Sequence, residues 1–271
     1  MRKISAFNLA AIVLGLAFLY LPIVILVIYS FNASRLVAVW GGWSLHWYSE
    51  LFRDDKFRTA ALTSLEIGMM AASLSLLLGT CAGLAIARFV RFRGRFLFSF
   101  MLMAPLVVPE VILGLSLLLL FVASQAWLGW PASRGVVTVT IAHATFGACF
   151  VAVLVRAQLA GFDRSLEEAA LDLGARPFAV LWRVTLPGIS PALASGWLLA
   201  FTLSLDDLVV ASFVSGPSAT TLPMAVYSSV RIGVTPEINA LATVFVAIVV
   251  ALVALAFGLI ARQERRRTAA G

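Results

Sequence analysis

Asp206 and Asp207 stand side by side in LSLDDLVVASFVSG, residues 203–216, a stretch that is otherwise soluble in hydrocarbon. Glu66 and Glu110 also fall within or at the edge of apolar runs. Carboxylates can act as acids or bases, as metal ligands, or as counter-charges to a cation. Insertion of one at the bilayer centre costs roughly 2.5–3.5 kcal/mol, so four facing lipid would cost on the order of 10 kcal/mol. They must face protein or water instead. No basic residue lies well inside these runs, Arg58 and Arg231 being the nearest at an outer edge. A water-filled passage that receives positive charge from elsewhere fits the four better than internal ion pairing. At a rise of about 1.5 Å per residue, Asp206 lies about 22 Å beyond Pro191, in the outer half of a span. Neighbours on a helix point about 100° apart, so one aspartate can line a passage while the other pairs with Arg231 or caps a broken helix.

Other chemistries lack their residues. The two cysteines, Cys81 and Cys149, sit in separate apolar runs and read as buried small hydrophobes, with no CxxC pattern and no metal-ligand cluster. His46 and His143 are isolated, and His143 reads as a packing histidine. A phosphate-binding G-x-x-x-x-G-K-[ST] loop is missing, the only lysines being Lys3 and Lys56. Neither a G-x-S-x-G elbow nor an H-E-x-x-H pair occurs. No catalytic residue and no cofactor site is therefore expected in this chain.

The elements that must carry the carboxylates are membrane spans. The 271 residues are 62% hydrophobic and 12% charged, and the mean hydropathy is +1.01, far outside the soluble range for this length. Six apolar segments are long enough to cross about 30 Å of hydrocarbon. They run at about 8–30, 59–87, 96–123, 135–157, 191–214 and 238–262. This predicts an all-α integral membrane protein with a single domain over 1–271, and a first helix that is retained rather than cleaved as a signal. With the N-terminus inside, fourteen of the twenty Lys and Arg residues fall on the inner side, which places both termini in the cytoplasm. The net charge of +7 is thereby an orientation signal, the basic RQERRR end included, and nucleic acid is not an expected partner. Trp40, Trp43, Trp47 and Tyr48 on the first outer connection read as an aromatic belt at headgroup depth, in contact with lipid.

The longest polar insertion on the inner side, about 158–190, has the marks of a helix-turn-helix elbow. Ser165 and Glu168 have the spacing of a capping box. Leu166, Ala169, Ala170 and Leu173 give one apolar face. Gly174 is suited to end that helix in a left-handed turn, Pro177 to open a second, and Pro187 to stop it.

Glu168-Ala169-Ala170, three residues, Gly174, nine residues, Val184, one residue, then Leu186-Pro187 resembles the EAA loop of ABC-importer permeases, with Val184 in place of the usual Ile. Around Glu110, APLVVPEVILGLSLLLL, and around the aspartates, the D-D-x-V-x-A-S-F-V-S-G-P run, resemble the polyamine branch of that family, which imports putrescine and spermidine; the SGPSATTLPM stretch is most like second permeases of putrescine systems. The resemblance covers essentially the whole chain. It implies a type I ABC-importer fold in the bacterial inner membrane. It also implies a homologous second permease, two ATPase subunits that bind ATP and Mg, and a periplasmic polyamine-binding protein. The elbow becomes the coupling helix that docks on an ATPase. A diamine carries about two positive charges at neutral pH, its amines having pKa values near 10. Asp206, Asp207, Glu110 and Glu66 then form the expected substrate path, with Phe213 and Tyr227 adding cation–π contacts of about 0.5–2 kcal/mol.

Two other classes compete. A cation channel or proton-coupled carrier would use the carboxylates without an ATPase, but leaves the elbow without a purpose. An intramembrane aspartyl protease needs two aspartates facing each other across a substrate, which neighbours on one helix cannot do. Within the ABC reading, another cationic amine would suit the same charges.

Overall fold

A computed structural model describes residues 6–36, 39–89, 91–233, 235–248 and 250. In chain order the helices are α1 (Ala6–Tyr29), α2 (His46–Arg53), α3 (Asp55–Arg88), α4 (Arg95–Val107), α5 (Glu110–Leu128), α6 (Val136–Ala160), α7 (Ser165–Asp172), α8 (Pro177–Val180), α9 (Leu186–Gly188), α10 (Ser190–Asp206), α11 (Val209–Val214), α12 (Leu222–Ile232) and α13 (Pro236–Ile248). A π-helical turn, Leu181–Thr185, joins α8 to α9. Among the described residues there is no strand beyond one isolated bridge, Asn32 to Trp43.

Among the described residues four helices, α1, α3, α5 and α6, are long and apolar enough to cross a membrane, and the bent pair Pro177–Gly188 with Ser190–Asp206 makes a fifth if counted as one span. The third expected span, 96–123, is corrected. Pro109 offers no N–H to the ladder and forces Val108 into an extended conformation, ψ 133°. The segment therefore divides into α4, too short to cross alone at about 20 Å, and α5 at about 28 Å. Glu110 consequently opens a span rather than sitting inside one. The fifth expected span, 191–214, is likewise broken, between α10 and α11. The sixth is seen as α13, and its remainder with the basic tail lies outside the described residues.

The chain forms two compact units, Met1–Arg58 with Val226–Gly271, and Thr59–Ala225. In the first, Asn32 organises the connection after α1: its Nδ2 donates to Val39 O (2.7 Å) and its Oδ1 accepts from the N–H groups of Ser34 and Gly41. Trp47 Nε1 donates to Asn32 O at 2.7 Å, and the ring is 5% exposed. Trp47 is thus a packing residue, whereas Trp43 is exposed as an aromatic belt requires. The indole N–H found a backbone acceptor in the turn, which hydropathy cannot reveal.

The second unit is built on α6, the most buried of the apolar helices. Val139, Ala142, Val151 and Val155 of α6 are fully buried and belong to two clusters. One gathers Ile67, Leu117, Phe121, Val210, Ala211 and Val214; the other Ala72, Leu159, Ile189 and Ala200. Lipid gives helices no hydrophobic reason to associate, so close packing of small residues must. Gly79 and Gly83 of α3 provide it: a Cβ on Gly79 would stand 2.6 Å from Ala148 O, and one on Gly83 2.9 Å from Ala152 O. Cys149 is buried here, but Cys81, expected to be buried too, is exposed on α3.

Candidate functional site

The two aspartates part company at the helix break. Asp206 closes α10 and is exposed. Asp207 has left the helix, with ψ 124°, and is 8% exposed. Its Oδ1 accepts from the N–H of Val210 (3.3 Å) and its Oδ2 from that of Ala211 (2.7 Å), two of the donors that open α11 without partners. Oδ2 also lies 3.1 Å from Nε2 of His143, whose Nδ1 is 2.6 Å from Ser204 Oγ. A carboxylate only accepts, so Nε2–H donates to Asp207 and, in a neutral ring, the Ser204 hydroxyl donates to Nδ1.

Serine, histidine and aspartate in hydrogen-bonded series invite comparison with a nucleophilic triad. Ser204 is 4% exposed and His143 1%, so no substrate reaches the hydroxyl, and the carboxylate is occupied as a cap. The series holds α6 to the break between α10 and α11. Capping a broken helix is therefore the role of Asp207, and Asp206 is the member of the pair that faces outward.

Glu110 is exposed at the first position of α5, where the helix dipole favours a carboxylate. Glu66 is exposed on α3, while Ser64 and Ile67 turn inward; Ser64 Oγ accepts from Leu222 N at 2.7 Å. Phe213 is half-buried, and its ring lies where a Cβ on Gly114 of α5 would be, 2.7 Å away. That contact locks α11 to α5, so packing already engages the ring. Tyr227 belongs to the first unit and is exposed.

The elbow follows the sequence closely at its turn. Gly174 has φ +83°, with Gly174 N–H donating to Leu171 O (2.8 Å) and Ala175 N–H to Ala170 O (3.0 Å). Those two bonds form a Schellman motif. Pro177 opens α8. The capping box is corrected: Ser165 is the first residue of α7 rather than its N-cap, and the N-cap, Arg164, makes no side-chain capping bond. Asp163 Oδ1 accepts from Ser165 N–H at 3.0 Å, and that bond, aided by the Ser165 hydroxyl, holds the Asp163 carboxyl below its usual range. Nor does Pro187 stop the second helix; the chain stays helical through the π-turn to Gly188 and then bends by 70°.

Glu168 and Ala169 are exposed, Ala170 and Leu186 half-buried, and Pro187 exposed. Leu173, Phe178 and Trp182 add exposed apolar surface around the bend. Sequence reasoning missed Glu167. Its Oε1 accepts from Arg88 Nη2 at the end of α3 and from Thr185 Oγ1 (2.6 Å) in the π-turn. Arg88 also stands 6.0 Å from the Phe162 ring. A basic residue closing one apolar run and an acid opening a polar segment were the only signals.

An all-helical unit with a broken, side-chain-capped helix and a helix-turn-helix elbow before it has the type I fold of ABC-importer permeases. The family described as "Binding-protein-dependent transport system inner membrane component" matches residues 75–269, and the chain belongs to it. The putrescine transport system permease protein PotI of Escherichia coli (strain K12) is 57% identical over 97% of this chain and 94% of its own length. The spermidine/putrescine transport system permease protein PotC of Haemophilus influenzae is 44% identical, over 88% of this chain and 90% of its own. Among solved structures, a bacterial ABC transporter for import of the acidic polysaccharide alginate matches with a TM-score of 0.69 at 19% identity, covering 96% of this chain and 99% of that one. This last likeness establishes the fold alone.

Proposed function

We propose that this chain is the membrane-spanning permease subunit of an ATP-driven importer that moves putrescine or a related polyamine from periplasm to cytoplasm. Its partners are a homologous second permease, two ATPase subunits that carry ATP and Mg, and a periplasmic polyamine-binding protein. The chain itself binds no cofactor, catalyses no reaction, and keeps both termini in the cytoplasm. The observation that carries the reading is 57% identity, over nearly the whole length, to a protein named for putrescine transport. Three exposed carboxylates on apolar helices, Asp206, Glu110 and Glu66, support it. Facing lipid they would be costly, so they line a passage or meet the second permease, and they favour a cation there. The docking of an ATPase at the elbow is supported by exposed Glu168 and Ala169 beside Leu173 and Phe178, an apolar surface without cover.

The test is uptake of labelled putrescine by the complete complex in proteoliposomes, with and without internal ATP. ATP-dependent uptake is the expected result. Uptake that persists without ATP under a membrane potential would overturn the importer mechanism, and ATP-dependent uptake of spermidine but not putrescine would move the substrate.

A further inference from the structure

Beside the elbow, the ends of α3 and α6 and the start of α4 enclose a cavity of about 420 Å³. Arg95, Arg156 and Arg164 line it, together with Ile86, Leu159 and Phe162, and no carboxylate does. Arg95 also borders a second, more open hollow of about 750 Å³ with Arg91, Arg93, Phe92 and Phe96. Five arginines thus converge on two adjoining concavities whose remaining walls are largely apolar. Of the acids close by in the chain, Glu167 is held by Arg88 and Thr185, and Asp163, between Phe162 and Arg164, accepts from the N–H of Ser165 and forms no ion pair among the described residues. Among the described residues Arg156 and Arg164 form no ion pair. Arg164 donates instead to the carbonyl of Ala87 at 3.4 Å and Arg95 to that of Ile86 at 3.2 Å, bonds that tether both guanidinium groups to the end of α3.

Position narrows the ligand. Ala87 and Arg88 close α3, Arg95 opens α4, and Arg156 lies one turn before the end of α6. The apolar runs expected to span, 59–87, 96–123 and 135–157, all end or begin beside these arginines, which puts the cavity at headgroup depth on the elbow's side. A guanidinium binds a phosphate through paired donors in one plane, and basic pockets between spans take anionic headgroups. Phe92, Phe96 and Leu159 offer acyl chains an apolar track.

We propose that this cavity binds the phosphate of an anionic phospholipid from the leaflet on the elbow's side. Phe162 and Arg164 belong both to the cavity wall and to the approach to the elbow, so a bound lipid braces the elbow against α3. The proposal rests on the membrane placement of the family and not on the substrate or on the ATPase reading.

The experiment is native mass spectrometry of the complete complex released from nanodiscs of equal phosphatidylglycerol and phosphatidylcholine with matched chains. Wild type should retain phosphatidylglycerol selectively, and Arg156→Ala with Arg164→Ala should lower that retention on the order of tenfold without changing phosphatidylcholine. The charge-keeping pair Arg156→Lys with Arg164→Lys should retain an intermediate amount, which guards against a folding defect. Equal retention of phosphatidylglycerol in wild type and the alanine pair would overturn the proposal. Displacement of the lipid by millimolar inorganic phosphate would reassign the cavity to a soluble anion. Retention only after the ATPase subunits are stripped would show that an acidic segment of a partner fills it.

Discussion

His143 Nε2 of α6 lies 3.1 Å from Asp207 Oδ2 at the break between α10 and α11, and both side chains are buried. This bond adds a polar tie between helices already packed through their buried apolar faces and makes an acidic residue part of the core. It also separates the roles of two adjacent aspartates.

Asp207→Ala should destabilise the protein by about 2–4 kcal/mol, because it leaves His143 and two buried N–H groups without their acceptor. Asp207→Asn, which keeps one acceptor oxygen, should cost about half as much. Thermal unfolding in detergent reads both, and a variant at the wild-type Tm would remove the cap from the account.

Asp206→Asn should leave Tm unchanged, since this carboxylate is exposed and forms no ion pair among the described residues. Uptake of a polyamine should fall on the order of tenfold, the value of one charge-assisted contact. Unchanged uptake with intact assembly would take Asp206 out of the path.

Glu167→Ala should weaken the connection of the elbow to α3 and lower substrate-stimulated ATP hydrolysis more than assembly. The exchanged pair Arg88→Glu with Glu167→Arg should recover part of the loss, because the ion pair survives with its ends reversed. Failure of either single change to alter stimulation would return the contact to a purely structural role.

Gly174→Ala should cost roughly 1–2 kcal/mol locally, since φ +83° disfavours any Cβ even though nothing lies within 4 Å of it. Gly174→Trp should in addition project a ring from the elbow and abolish recovery of the ATPase in a pull-down of the assembled complex. Normal recovery would place ATPase docking elsewhere.

Gly79→Leu should separate α3 from α6, because even a Cβ there meets Ala148 O at 2.6 Å. The expected cost is about 1–3 kcal/mol, read as a lowered Tm. A wild-type Tm would show that the two helices slide apart freely.

Hydropathy alone determined the class of this protein, since runs as long as 8–30 and 135–157 satisfy their own backbone only as helices in a membrane. Local chemistry also determined the turn at Gly174 and the helix start at Pro177, where one residue's φ preference suffices. Both were legible because the causes lie within a few residues of their effects. What lay beyond reach depended on partners distant in sequence. The acceptor for Trp47 is fifteen residues away, the partner of Asp207 is sixty-four, and that of Glu167 is seventy-nine. Asp206 and Asp207 are the same residue type in the same surroundings, so no local rule separates them. Only the tertiary structure decided which one is spent on a buried helix end and which is left exposed, because burial and hydrogen-bond satisfaction are properties of packed neighbours rather than of the chain.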